Sequence, residues 1–217
     1  MLINFKKISV FILRFVFPRN CIGCKSPDFW ICEKCLSQIP KSFENPLSWS
    51  SSVFEYKNKI IKKGIWLIKF SKKYSVLEDL EKPLRESFVS FLKKHKLPQK
   101  EVLLVPIPIT KKSMEERRYN QSLLICNILE KKMENIKIEN SVLTKSKNHI
   151  PQNKIKNRNQ RLENVKNSFS VKNPEKIKGR IIILVDDVVT TGATLKEAKF
   201  VLIKSGAKKV LGFSIAH

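Results

Sequence analysis

The chain has 217 residues, with 43 Lys and Arg against 19 Asp and Glu, giving a net charge of +24. A hydrophobic share of 42% and a mean hydropathy of −0.23 are those of an ordinary globular protein, long enough for one main domain and a small accessory module. No run reaches the ~20 apolar residues that a bilayer span takes, which excludes a helical integral membrane protein. The charge attracts polyanions at long range and low salt. A composition rich in Lys, Asn and Ile would also produce it, and composition alone leaves the two origins open.

Residues 1–20 begin MLINFKKISVFILRFVF. Early lysines and a short apolar run resemble a secretory signal, but Arg14 interrupts the run and no small-x-small cleavage site follows. An amphipathic helix is predicted instead, packed on the core or lying on a partner or, as a peripheral association, on a membrane surface. A cytoplasmic protein is expected.

Four of the five cysteines follow in two C-x2-C pairs, Cys21/Cys24 and Cys32/Cys35, separated by seven residues. Such pairs turn tightly enough to aim four thiolates at one ion, so residues 21–40 are predicted to be a structural zinc module with every ligand position filled. Two disulfides would need an oxidising compartment. Phe29 and Trp30 in this module read first as packing residues. Cys126 lies in an apolar helical pattern and reads as core.

Residues 41–52 are predicted to be a linker, and residues 53–217 the main domain. Within it, Ser52–Tyr56 reads as a short strand with a turn at Lys57-Asn58. Helical periodicity runs over 59–70, with Ile61, Ile65 and Ile68 on one face. It resumes over 76–95, with a kink or split expected at Pro83. From residue 102 the pattern alternates. Strands are predicted at 102–107, 136–143, 181–186 and 209–215, and helices at 120–134 and 194–205. Near-continuous apolar strands separated by helices give an α/β fold, a doubly wound, mainly parallel sheet. The basic stretch 144–168 lacks periodicity and is expected to be a loop over the site or a flexible arm. His95, His149 and His217 are isolated and read as surface residues.

The segment IIILVDDVVTTGATL carries the chemistry. An apolar strand ends in Asp186 and Asp187, where ligands sit in open α/β sheets. Thr190-Thr191-Gly192-Ala193-Thr194 then feeds a helix N-terminus, whose free N–H groups and dipole favour a phosphate. This unit can hold a sugar phosphate: carboxylates for ribose hydroxyls or a metal, hydroxyls and N–H groups for the phosphate.

VDDVVTTGATL resembles the PRPP-binding motif of type I phosphoribosyltransferases. Together with the cysteine module, VPIPITKK (105–112), ERRYNQS (116–122) and NQRLENVKNSF (159–169), the chain is similar to the ComF/GntX family of competence-associated proteins along nearly its whole length. Phe54, Tyr56 and Lys69-Phe70 fit the family more weakly. The resemblance implies a type I phosphoribosyltransferase-like fold. It implies that Asp186 and Asp187 serve as the catalytic carboxylates, holding the ribose hydroxyls of PRPP directly or through Mg2+. Thr190, Thr191, Gly192, Ala193 and Thr194 would cradle the 5′-phosphate, and Thr110, Lys111 and Lys112 would form the pyrophosphate loop. Arg117, Asn120 and Gln121, with Arg161 and Asn164, would complete the PRPP site.

Two family glycines are replaced, by Arg118 and by Asn167, and Tyr119 stands where Phe is usual. Hypoxanthine–guanine salvage enzymes carry an aspartate at the position of Thr190; threonine is no general base near neutral pH, which argues against 6-oxopurine salvage. The resemblance thus implies a competence protein that binds PRPP and assists uptake or processing of single-stranded DNA, with a DNA-uptake helicase or recombination mediator as partner. Two alternatives stand beside it: a metabolic phosphoribosyltransferase acting on a nucleobase or amine, and a non-catalytic PRPP sensor.

Overall fold

The computed structural model describes residues 19–42, 47–98, 102–131, 133, 135–145 and 168–217. The predicted N-terminal helix, Arg161, Asn164, Asn167 and His149 lie outside them.

A five-stranded parallel sheet organises the chain. It is built from β1 (Ser50–Phe54), β2 (Val102–Pro106), β3 (Lys137–Ile138), β6 (Ile181–Val188) and β7 (Lys209–Ala216), in the order β1-β7-β6-β2-β3. β4 (Leu143–Lys145) and β5 (Phe169–Val171) form a separate antiparallel ribbon. The central strands are near-continuously apolar up to Val185 in β6, because helices cover both faces. Leu104, Ile183 and Val185 belong to one buried cluster, and Leu103, Ile182 and Leu184 to the other.

The chain leaves β2 toward β3 and leaves β6 toward β7, in opposite directions along the sheet. The carboxyl ends of β2 and β6 therefore flank the crevice where strand order reverses, the usual ligand position in open α/β folds.

The helices are α1 (Glu33–Ser37), α2 (Lys59–Phe70), α3 (Val76–Lys94), α4 (Lys111–Arg117), α5 (Gln121–Glu130) and α6 (Ala193–Lys204). Asn58 starts α2 by accepting from the N–H groups of Ile60 and Ile61 at 2.9 and 3.2 Å. Ile61, Ile65 and Ile68 form its buried face; burying each side chain contributes about 1.5–3 kcal/mol. α3 runs unbroken through Pro83, so the expected split is absent. Its apolar face, from Leu77 and Leu80 to Leu84 and Phe88, is buried on both sides of the proline.

Three expectations change. The segment 41–52 is not a free linker: Ser50–Ser52 belong to β1, and the N–H of Ser42 donates to the Val53 carbonyl at 3.0 Å. The helix predicted over 120–134 stops at Glu130, whose carboxylate accepts from the Ile138 N–H at 3.2 Å. The strand predicted over 136–143 breaks into β3 and β4, because Glu139 Oε1 draws in the N–H and hydroxyl of Ser141 at 2.9 and 2.6 Å.

The cysteine segment is part of the main core. Cys21, Ile31, Cys35 and Ile39 share one buried cluster with α2, α3, Phe213 and Ile215. Asp79 of α3 secures the join by accepting from the N–H groups of Trp30 and Ile31 at 2.8 and 3.1 Å. The Trp30 indole N–H donates to Ser75 Oγ at 3.0 Å, which makes Trp30 a packing residue as expected.

Candidate functional site

A cavity of about 270 Å3 opens at the carboxyl ends of β2 and β6. Asp186 and Asp187 form its floor. The Val189–Thr194 loop closes one side, the Ile107–Thr110 segment another, and Lys69, Phe70 and Arg117 stand at its edge.

The adjacent carboxylates have different surroundings. Asp187 is 5% exposed and fully engaged: Lys69 Nζ lies 2.8 Å from its Oδ1, and Gln121 Nε2 donates to its Oδ2 at 3.2 Å. Asp186 accepts the Ser122 hydroxyl at 3.3 Å and the Asp187 backbone N–H at 2.8 Å, both on Oδ1. Its Oδ2 has no protein partner among the described residues. Burial, and then the charge of Asp187, push the Asp186 carboxyl up to about 7. Burial alone would lower the Lys69 pKa, but Asp187 and Asp186 outweigh it and hold the ammonium charged. Lys145, on the ribbon side, is held below its usual range by burial, opposed by Asp186.

Gly192 sits at φ +73 as the N-cap of α6, and a Cβ there would lie 2.7 Å from Leu47 Cδ1. Only glycine combines that left-handed backbone with that close packing. The loop it makes leaves the first N–H groups of α6 facing the cavity end of the helix. Thr191 Oγ1 takes up one of them, from Ala193, at 3.4 Å.

The cavity brings together Thr110, Arg117, Gln121, Asp186, Asp187 and all of Thr190–Thr194 from the residues singled out by sequence. Lys111 and Lys112 do not line it. Thr110 caps α4 by accepting from the Ser113 N–H at 3.2 Å, so the two lysines occupy the exposed first turn of a helix rather than an open loop. Asn120 also stands back: its Nδ2 donates to the Ile107 carbonyl at 3.0 Å and its Oδ1 caps α5, so it fixes the loop that borders the cavity. Arg118 adopts φ +70, a left-handed backbone of the kind that glycine takes most readily. Lys145 carries no sequence signal, Ser122 and Ser168 are included in the segments 116–122 and 159–169 without a role of their own, and Lys69 has only a weak match. None belongs to the Asp-Asp motif, and only the fold carries them to it.

The chemistry of the cavity suits a polar, anionic ligand. Among the described residues, four buried side-chain polar atoms lack a hydrogen-bond partner. Three belong to cavity residues: Arg117 Nε, Gln121 Oε1 and Ser168 Oγ. Buried polar groups are normally satisfied, so three around one cavity mark a place for a ligand or ordered water.

At the other end of α2, the ligand atoms of Cys21, Cys24, Cys32 and Cys35 all lie within 4.8 Å of one another, and none of the four is in a disulfide. The Ser26 N–H and hydroxyl hold the Cys24 thiol below its usual range, the direction that favours a metal-binding thiolate. A Cβ on Gly23 would approach Cys35 Sγ to 2.6 Å, so the loop has been kept bare where the sulfurs converge. Four clustered thiols fit a structural zinc with no open coordination position.

The phosphoribosyl transferase domain family matches residues 123–213. Competence protein ComFC of Bacillus subtilis is 30% identical over 172 residues, covering 78% of this chain and 64% of that protein. Competence protein F of Haemophilus influenzae is 30% identical over 123 residues, covering 56% and 52%. The DNA utilization protein YhgH of Escherichia coli K12 is 32% identical over 107 residues, covering 49% and 45%. The chain spans about half the length of the curated relatives it matches first. Among solved structures, a Staphylococcus aureus hypoxanthine phosphoribosyltransferase aligns with a TM-score of 0.42 and 14% identity over 63% of this chain and 62% of that one.

The parallel sheet, the Asp-Asp strand end and the glycine-containing loop define a type I phosphoribosyltransferase-like domain, here carrying a four-cysteine metal module. Within that class, the competence proteins ComFC and F among its relatives support the ComF family for this chain. No helix among the described residues is long and apolar enough to cross a membrane.

Proposed function

We propose that the cavity binds PRPP with Mg2+, and that the chain serves a ComF-type role in handling single-stranded DNA during natural transformation. The observation that carries the reading is the pairing of the Asp186–Asp187 strand end with the Thr190–Thr194 loop in one cavity bordered by Lys69, Arg117 and Lys145. Carboxylates with cations beside them, next to a loop of N–H groups and hydroxyls at a helix N-terminus, match a ligand bearing ribose hydroxyls and several phosphates. The names of the ComFC and YhgH relatives support a link to competence and DNA use.

The twin carboxylates would divide the work. Asp187, with both oxygens engaged by Lys69 and Gln121, positions and neutralises. Asp186, with one oxygen free of protein partners among the described residues, would be the group to face a ribose hydroxyl or Mg2+. The metal would screen the phosphates and share their oxygens with one or two carboxylates. The α6 N-terminus and Thr190–Thr194 would take the 5′-phosphate, and Arg117 would lie on the pyrophosphate side.

Calorimetric titration with PRPP and Mg2+, with and without single-stranded DNA, tests this. Saturable PRPP uptake that Asp186→Asn and Asp187→Asn each weaken is the expected result. Absence of uptake by the zinc-loaded wild type would overturn the reading.

A further inference from the structure

The outer face of α2 carries two exposed aromatic rings in series. Trp66 is 46% exposed and Phe70 54% exposed, one helical turn apart, with ring centroids 6.1 Å from each other. Each ring has its own cation: Lys63 Nζ lies 4.1 Å from the Trp66 ring, and the Arg117 guanidinium 5.5 Å from that of Phe70. The buried face of the same helix is already complete with Ile61, Ile65 and Ile68, so core packing does not account for these rings. Phe70 and Arg117 also border the cavity. The row therefore begins at the cavity's edge and runs outward along the helix.

We propose that this row is a stacking platform for single-stranded DNA, placing one base on Phe70 at the edge of the PRPP cavity and a neighbouring base on Trp66. It rests on the PRPP reading only for what the cavity holds; the platform itself is argued from the rings and cations. Base faces stack on exposed aromatic side chains, and nearby cations hold the connecting phosphates. A free nucleobase needs a single ring inside a pocket. Two rings in line, one lining the cavity and the next beyond it, each beside a positive group on a chain of net charge +24, suit consecutive bases of a polyanion. The acceptor side of the cavity is thereby assigned to a base within a strand.

The test uses the full-length, zinc-loaded protein and a fluorescent oligothymidylate of about twelve nucleotides, within the usual size of a single-strand site. Trp66→Ala and Phe70→Ala should each weaken binding at least about fivefold, the low end for losing one base–aromatic stack. Phe200→Ala, an exposed aromatic on α6, should leave binding at the wild-type level. An abasic strand with the same number of phosphates should bind more weakly than oligothymidylate at every salt concentration. Circular dichroism and zinc content establish that each variant is folded. Equal affinity for abasic and thymidylate strands, or wild-type affinity in both aromatic variants, would overturn the proposal. So would variants that change only self-association, since that result would mark the face as a protein contact. An oligouridylate arm tells RNA from DNA; a marked preference for RNA also counts against it. The PRPP reading fails separately, if the wild type takes up no PRPP.

Discussion

Lys69 Nζ lies 2.8 Å from Asp187 Oδ1, so the last turn of α2 is fastened to the end of β6 by a largely buried ion pair. Asp187 cannot shed this charge partner without being left, among the described residues, as a buried carboxylate held by Gln121 alone. Lys69→Met should therefore destabilise the protein by about 3 kcal/mol, at the low end for breaking a buried pair because Lys69 stays 24% exposed. Urea unfolding measures this, and the Lys69→Met/Asp187→Asn double variant should recover most of the loss. If the double variant is no better than the single, the pair is not what Lys69 contributes.

Asp186 supplies a pH dependence with a definite sign. Its folded-state pKa, raised to about 7, exceeds the ordinary value of ~3.9 expected when unfolded, so the folded state binds the extra proton between those limits. Stability should fall as pH rises through that window. Asp186→Asn carries no such proton. The variant should match wild type near pH 4 and become progressively more stable than it up to about pH 8. Melting temperatures of the two proteins across this range decide it; a constant difference would contradict the assignment.

The cysteine cluster should hold one zinc per chain. Gly23→Ala would press a methyl group against Cys35 Sγ, so zinc content should fall well below one. Metal analysis of purified protein reads this directly. Full zinc content in the variant would show that the loop can shift without cost.

Asp79 should matter more than its place on a helix flank suggests. Asp79→Ala would orphan the N–H groups of Trp30 and Ile31, at a cost of about 1–3 kcal/mol for each group left unsatisfied. Hydrogen exchange at those two amides should quicken in the variant, ahead of exchange in the central strands.

Local signals were readable in the chain. The apolar runs of β2, β6 and β7 and the spacing of Ile61, Ile65 and Ile68 placed sheet and helix, and the Asp-Asp-to-glycine segment placed the site. What the sequence could not show is proximity across the fold. Lys69, Ser122 and Lys145 reach Asp186 and Asp187 from three separate elements; the motif segments contain Lys69 and Ser122 without showing that they meet the carboxylates, and no local pattern marks Lys145. Short polar competitors also escaped notice: the Glu139 carboxylate that breaks a strand and the Thr110 hydroxyl that starts a helix act through single hydrogen bonds. Arg118 stands where the family usually has glycine, and its backbone lies in the left-handed region that glycine favours.

The shared cluster that joins Cys21, Cys32 and Cys35 to α2, α3 and the inner face of β7 has a thermodynamic consequence. With no apolar boundary between the metal module and the sheet, the two should melt as one cooperative unit. Zinc that binds only the folded chain then stabilises the whole of it, in proportion to the logarithm of free metal. A chelator would act as a denaturant of the distant Asp186–Asp187 cavity, and scarcity of zinc would be registered there without any contact between the two sites.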